Sequence, residues 1–182
     1  MNLFCNIAIG IYLLFLVREL GFGATMLGFM FSIGSIGFLT GALTASRLSD
    51  RFGVGATIIA TAALFGPPFL VLPFVDGPGA FPIVSAAAFV TFGAGTIYNI
   101  TQVSLRQAIT PERMQGRMNA TMRFIVWGTI PLGLAGGGLL GGLIGLRETI
   151  LVGALGSLSP FLVVLFSPVR SLRRMPEQAA EA

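Results

Sequence analysis

Five polar side chains interrupt the apolar stretches of this sequence. Asn2 and Asn6 are four residues apart, and Tyr98, Asn99 and Gln102 form a second group in which the two amides are three apart. Residues with these spacings share one face of a helix. Amide and phenol groups in apolar surroundings need hydrogen-bond partners. These residues therefore either form hydrogen bonds between helices or face a space between them.

The remaining reactive side chains exclude most catalytic and metal chemistry. The chain has no histidine and one cysteine, Cys5. It therefore lacks a Ser–His pair, an H-E-x-x-H zinc motif and an internal disulfide. The sequence predicts a protein that is not an enzyme and that uses no metal or cofactor.

A short charged segment could act by exchanging ion pairs. Arg47, Asp50, Arg51 and Gly53 lie between two apolar stretches. A carboxylate near the start of a helix is favoured by the helix dipole, and either arginine can pair with it. These four residues are predicted to form a cytoplasmic gating loop. The alternative is that the arginines only set membrane topology and cap helices.

The composition and the placement of charge show which elements must position these groups. Of the 182 residues, 54% are hydrophobic and 10% are charged, and the mean hydropathy is +0.89. Charged clusters separate six apolar runs, each close to the roughly 20 residues that a membrane-spanning helix needs. None of the runs alternates polar and apolar residues, which excludes a transmembrane barrel. The predicted fold is an all-α integral membrane protein with six transmembrane helices.

The predicted spans form one domain, residues 1–169, followed by a cytoplasmic tail, residues 170–182, that is expected to be disordered. The spans cover residues 1–17, 24–46, 55–75, 81–105, 120–146 and 149–168. Nine of the eleven arginines fall in the loops after spans two and four and in the tail. By the positive-inside rule, both termini are cytoplasmic. The net charge of +4 is then a topology signal and does not indicate nucleic acid.

Glycines at four-residue spacing predict how the helices meet. Gly133, Gly137 and Gly141 form one row on the fifth span. Such rows allow helices in lipid to approach closely. Pro131 precedes the row and removes a backbone hydrogen bond, so a hinge in this span is the alternative to close packing.

The charged segment after the second span resembles the loop signature of the major facilitator superfamily, Gly-x-Leu-x-Asp-Arg-x-Gly. Leu48, Asp50, Arg51 and Gly53 match the signature, whereas Ser46 replaces its first glycine. Val54 and Gly55 replace the basic residues that follow it in the family, and such departures are expected in the C-terminal half of these transporters. Residues 105–123 and 127–133 are similar to the region around helices ten and eleven of bacterial macrolide-exporter-like efflux members.

The resemblance implies that the chain is the C-terminal six-helix half of a major facilitator bundle in the bacterial inner membrane. Such a protein is a secondary active transporter, here one that exports a small hydrophobic or amphipathic molecule by alternating access. Its first and fourth spans line the central cavity, which places the five polar residues beside the substrate. Because the site lies between two halves, the expected partner is a missing N-terminal six-helix half or a second copy. The alternatives are a non-transporting membrane scaffold and an inert fragment truncated upstream of Met1.

Overall fold

The protein is described by a computed structural model that covers residues 2–159 together with Phe161 and Leu172. In this part of the chain all regular elements are helical. The α-helices are α1 (Asn2–Arg18), α2 (Ala24–Phe52), α3 (Val54–Phe65), α4 (Pro67–Val71), α5 (Ala80–Ala108), α6 (Glu112–Ile144) and α7 (Leu146–Ser157). Short 3-10 helices cover Leu72–Phe74 and Gly77–Gly79.

Four helical segments are long and apolar enough to cross a bilayer. They are α2, the composite Val54–Phe74, α5 and α6. Helix α1 is apolar but has 17 residues. The end of the sixth predicted span and nearly all of the predicted tail lie outside the described residues. The described residues thus form an all-helical fold with helices suited to a membrane, whereas the count of six spans and the single domain stay predictions.

The composite third span is interrupted where the sequence removes backbone hydrogen bonds. Helix α3 ends at Phe65, and Gly66 leads into α4, whose first two residues are Pro67 and Pro68. Proline fits the first turn of a helix because the missing N–H has no partner there. Gly66 also lies against α7, since an added Cβ would be 2.5 Å from the side chain of Leu158.

Two segments predicted as loops are helical. Helix α2 continues past residue 46 through Arg47, Asp50 and Arg51, so the predicted gating loop is the last turn and a half of a helix. The predicted long loop between spans four and five shrinks to residues 109–111, because α6 begins at Glu112. Helix α6 has 33 residues and is about 50 Å long, whereas the hydrocarbon layer is about 30 Å thick. The loop predictions were wrong because these helices extend into water, where Arg, Gln and Glu are good helix formers.

The helices pack in two sets of neighbours. Helix α1 contacts α6 and α7, whereas α2 packs along α5, which also contacts α3. Small residues bring α2 and α5 together: a Cβ on Gly37 would meet the carbonyl group of Phe89, and a Cβ on Gly41 would lie 2.6 Å from the carbonyl oxygen of Gly93.

The main apolar core lies toward one end of the helices. It includes Phe15 from α1, Met30 from α2, Val84 from α5 and Ile150 from α7, all fully buried. These positions lie near the turns around residues 19–23, 75–79 and 145. The opposite end, where α5 ends and α6 begins, holds most of the polar side chains described below.

Candidate substrate cavity

An apolar cavity of about 760 Å³ lies between α1, α2, the third span and α5. Five of its wall residues are phenylalanines: Phe31, Phe38, Phe65, Phe69 and Phe92. On α5 the wall residues Thr91, Gly95 and Asn99 recur every four positions, which puts them on one helical face. Cavities of about 300–1,000 Å³ with apolar walls suit small organic molecules.

A second, polar cavity of about 510 Å³ adjoins the first. It lies between the N-terminus of α1, the C-terminal half of α5 and the N-terminal half of α6. Phe65, Gly95 and Asn99 line both cavities, so the two spaces lie side by side along the bundle. The polar wall residues are Asn2, Tyr98, Asn99, Gln102, Arg106, Gln107, Asn119 and Arg123.

Four of the five residues predicted to face a substrate come together in the polar cavity. They are Asn2, Tyr98, Asn99 and Gln102. Asn6 does not line either cavity; its side-chain amide donates a hydrogen bond to the backbone carbonyl oxygen of Asn2 at 2.8 Å. A Cβ added to Gly133 would lie 2.5 Å from the Cβ of Asn6. Asn6 therefore lies at the contact between α1 and α6, but its hydrogen bond stays within α1, so among the described residues it does not form the hydrogen bond between helices that was the alternative.

The charged end of α2 is exposed. The side chains of Arg47, Asp50 and Arg51 all reach solvent, and the Arg51 guanidinium lies 5.6 Å from the ring centroid of Phe52. Among the described residues the Asp50 carboxylate forms no ion pair, so the predicted pairs with Arg47 or Arg51 are absent. Gly53 has φ of +93°, a conformation that favours glycine, and its N–H donates to the carbonyl oxygen of Ser49 at 3.0 Å.

The predicted glycine row of α6 lies along α1. A Cβ at Gly137 would meet the backbone carbonyl of Ile7, and one at Gly141 would lie 3.1 Å from the side chain of Ile11. Pro131 lies within α6, which is continuous from Glu112–Ile144. The glycines thus occupy a close helix contact, and a hinge at Pro131 stays a prediction.

The sequence analysis missed an ion-pair cluster that joins three turns. The Arg147 guanidinium donates to both carboxylate oxygens of Asp76, at 2.5 and 3.1 Å, and to Glu19 at 3.3 Å. It also donates to the carbonyl oxygen of Pro73 at 2.9 Å and lies 5.8 Å from the ring centroid of Phe15. We call Arg147, Asp76 and Glu19 the turn clasp.

Electrostatics of the turn clasp follow from this geometry. The side-chain hydrogen bond from Arg147 lowers the pKa of the Asp76 carboxyl below its ordinary value, despite some opposing desolvation. The same bond raises the pKa of Arg147. The sequence did contain a signal for this cluster. Glu19, Asp76 and Arg147 each lie at the end of an apolar run, on the same predicted side of the membrane.

The described helices, four of which can cross a bilayer, and the two adjoining cavities between them are those of a multi-pass α-helical membrane protein. The family model of the Major Facilitator Superfamily matches residues 1–182. The chain therefore belongs to this superfamily of membrane transporters, as the signature around Asp50 predicted.

A curated relative connects the chain to efflux. The Multidrug efflux pump Tap of Mycolicibacterium fortuitum is 29% identical to the chain over 145 residues. The match covers 79% of the chain and 34% of the relative, so the chain spans about a third of the length of that protein. No solved structure matches the chain.

Proposed function

We propose that the chain is the C-terminal, cargo-binding half of a secondary active transporter that exports a small hydrophobic or amphipathic molecule by alternating access. Membership of the Major Facilitator Superfamily supports transport, and the name of the relative supports efflux. The observation that supports this class of cargo is an aromatic cavity with a polar cavity beside it. An amphipathic molecule can place its apolar part in the first and its polar part in the second.

A partner is part of this proposal. Helices α2 and α6 expose large apolar side chains along their lengths, including Phe29, Leu43, Phe124 and Leu139. In a bilayer such faces are covered by lipid or by another helix. In our proposal an N-terminal six-helix half, or a second copy, covers part of these faces and closes the two cavities. The assembly lies in the bacterial inner membrane with both termini in the cytoplasm.

Transport by reconstituted protein tests the proposal. The full chain, alone and together with an N-terminal half, is placed in liposomes, and movement of a lipophilic fluorescent dye is measured under a pH gradient. The variant Ala42→Trp fills the apolar cavity, because Ala42 is exposed and lines it. The variant Leu155→Trp adds the same side chain on α7, at an exposed residue that lines neither cavity and lies outside the exposed faces of α2 and α6, and is the control.

The expected result is dye movement that Ala42→Trp reduces about fivefold or more, since a loss of about 1 kcal/mol in binding already changes affinity by a factor of five. Leu155→Trp should retain the rate of the unmodified chain. Equal rates for both variants would remove the apolar cavity from the transport path. Absence of dye movement in every arrangement would favour the scaffold or inert-fragment alternative.

A further inference from the structure

Two arginines face the polar cavity without a carboxylate in its walls. Arg106 comes from α5 and Arg123 from α6, and the wall residues that the structure describes include no Asp or Glu. The Nε atom of Arg106 is buried and has no hydrogen-bond partner within the described part of the chain. A buried donor on a charged group is costly to leave unpaired.

Membrane topology alone does not account for this arrangement. Arginines that set topology extend toward water, with the charged group solvated. Arg113 and Arg117 on α6 behave in this way, because both are exposed and neither lines a cavity. Arg106 instead buries part of its guanidinium in the cavity wall, where an anion bound in the cavity would supply an acceptor.

We propose that the polar cavity binds the anionic group of an amphiphilic molecule, a carboxylate, sulfate or phosphate. The planar guanidinium groups of Arg106 and Arg123 suit such oxyanions, and the amides of Asn99 and Gln102 supply further donors. Phe65 lines both cavities, so the apolar part of the molecule would lie in the apolar cavity beside it. This inference rests on the proposed function, since the anionic amphiphile is the cargo, and it adds the charge class.

The chain carries its own reporter for binding. Trp127 is its only tryptophan, and it lines the polar cavity. Bromine atoms that come close to an indole quench its fluorescence. The full chain in a neutral maltoside detergent is therefore titrated with 9,10-dibromostearate, an amphiphilic carboxylate. The matching dibromostearyl alcohol, which has no charge, measures simple partition into the micelle.

We expect the carboxylate to quench at a concentration about tenfold lower than the alcohol, as charge-assisted hydrogen bonds predict. Arg106→Gln and Arg123→Gln should each raise the apparent Kd for the carboxylate about tenfold. Arg113→Gln and Arg117→Gln remove the same charge from exposed positions outside the cavity and should leave the Kd unchanged. Far-UV circular dichroism checks that each variant keeps its helix content. If Arg106→Gln loses helix content, the test depends on Arg123→Gln. Arg123 is exposed, so its substitution should not disturb the fold.

Brominated lipids distinguish the two sources of such an anion. A lipid headgroup would be the occupant if dibrominated phosphatidylglycerol quenches the fluorescence and dibrominated phosphatidylcholine does not. This quenching should also depend on Arg106 and Arg123. Quenching by the free carboxylate alone would identify a single-chain cargo. Both results support an anion site.

Three results would overturn the inference. One is equal quenching by carboxylate and alcohol, another is an equal loss of affinity in Arg113→Gln and Arg106→Gln, and the third is retained affinity in Arg123→Gln. Dye transport with no preference for anions would leave the proposed function intact and reject the anion site. Anion-selective quenching without any transport would retain the site and reject the proposed function.

Discussion

At the scale of single residues, the turn clasp makes stability depend on pH in a specific direction. Arg147 lowers the pKa of Asp76, so the carboxylate stabilises the folded chain most fully above its ordinary pKa of about 4. This contribution is lost as the pH falls through the lowered native pKa. We expect Asp76→Asn to unfold about 2 °C below the unmodified chain at about pH 6, the small effect of an exposed ion pair. The difference should be smaller at about pH 3, below the ordinary pKa of a carboxyl group.

Thermal unfolding in detergent, followed by circular dichroism at both pH values, measures this difference. Asp50→Asn is the matched control, because Asp50 is an exposed carboxylate without an ion pair among the described residues. The difference in unfolding temperature between Asp76→Asn and the unmodified chain could also stay the same at low pH. That result would show that Arg147 does not act through this carboxylate.

The candidate site was predictable in part at this scale. Spacing of three and four residues placed Asn99 and Gln102 on one face of α5, and the structure puts both in the polar cavity. The same rule put Asn2 and Asn6 on one face of α1, yet Asn6 lies against α6. Helical spacing gives the face of a side chain, but only packing shows whether that face meets a cavity or a neighbouring helix.

At the scale of helices, α1 and α6 can approach closely because the contact is lined by glycines of α6, which have no side chain. Gly137→Ala places a Cβ against the backbone of Ile7, which cannot move as a flexible side chain can. We expect a loss of about 1–3 kcal/mol in stability, as for other overpacked contacts. Gly138→Ala is the matched control, since nothing lies within 4 Å of its added Cβ. It should be neutral or slightly stabilising, because alanine is the better helix former.

Unfolding in mixed micelles of a neutral detergent and dodecyl sulfate compares the two variants under identical conditions. If Gly137→Ala is as stable as Gly138→Ala, then α1 and α6 can move apart to fit the added Cβ without a loss of stability. In that case the glycine row would not determine the spacing of these two helices.

The elements themselves were predictable where the pattern was long and apolar. The cores of α2, α5 and α6 follow from uncharged runs longer than 20 residues, and the break in the third span coincides with Gly66, Pro67 and Pro68. Helix ends were not predictable from the same signal. Charge marks the boundary of the lipid layer, whereas a helix ends where its backbone hydrogen bonding stops, as at Gly53.

At the scale of the whole molecule, the two ends of the helices differ in how they are packed and in the groups that they hold. The main apolar core and the turn clasp lie at one end, whereas the polar cavity lies at the other. Alternating access requires that one end of a transporter can close while the other opens. In our proposal the end that holds Arg147 faces the cell exterior, and the polar cavity receives cargo from the cytoplasmic side.

Labelling with a membrane-impermeant maleimide on intact cells tests this orientation. After Cys5→Ala removes the single cysteine, new cysteines are introduced as Gly79→Cys beside the turn clasp and Gly116→Cys on α6. Both glycines are exposed, and nothing lies within 4 Å of an added Cβ at either. Because the arginine-rich end is expected inside the cell, the cysteine at 79 should react in intact cells. The cysteine at 116 should react only after the cells are permeabilised, and the reverse pattern would place the polar cavity at the exterior.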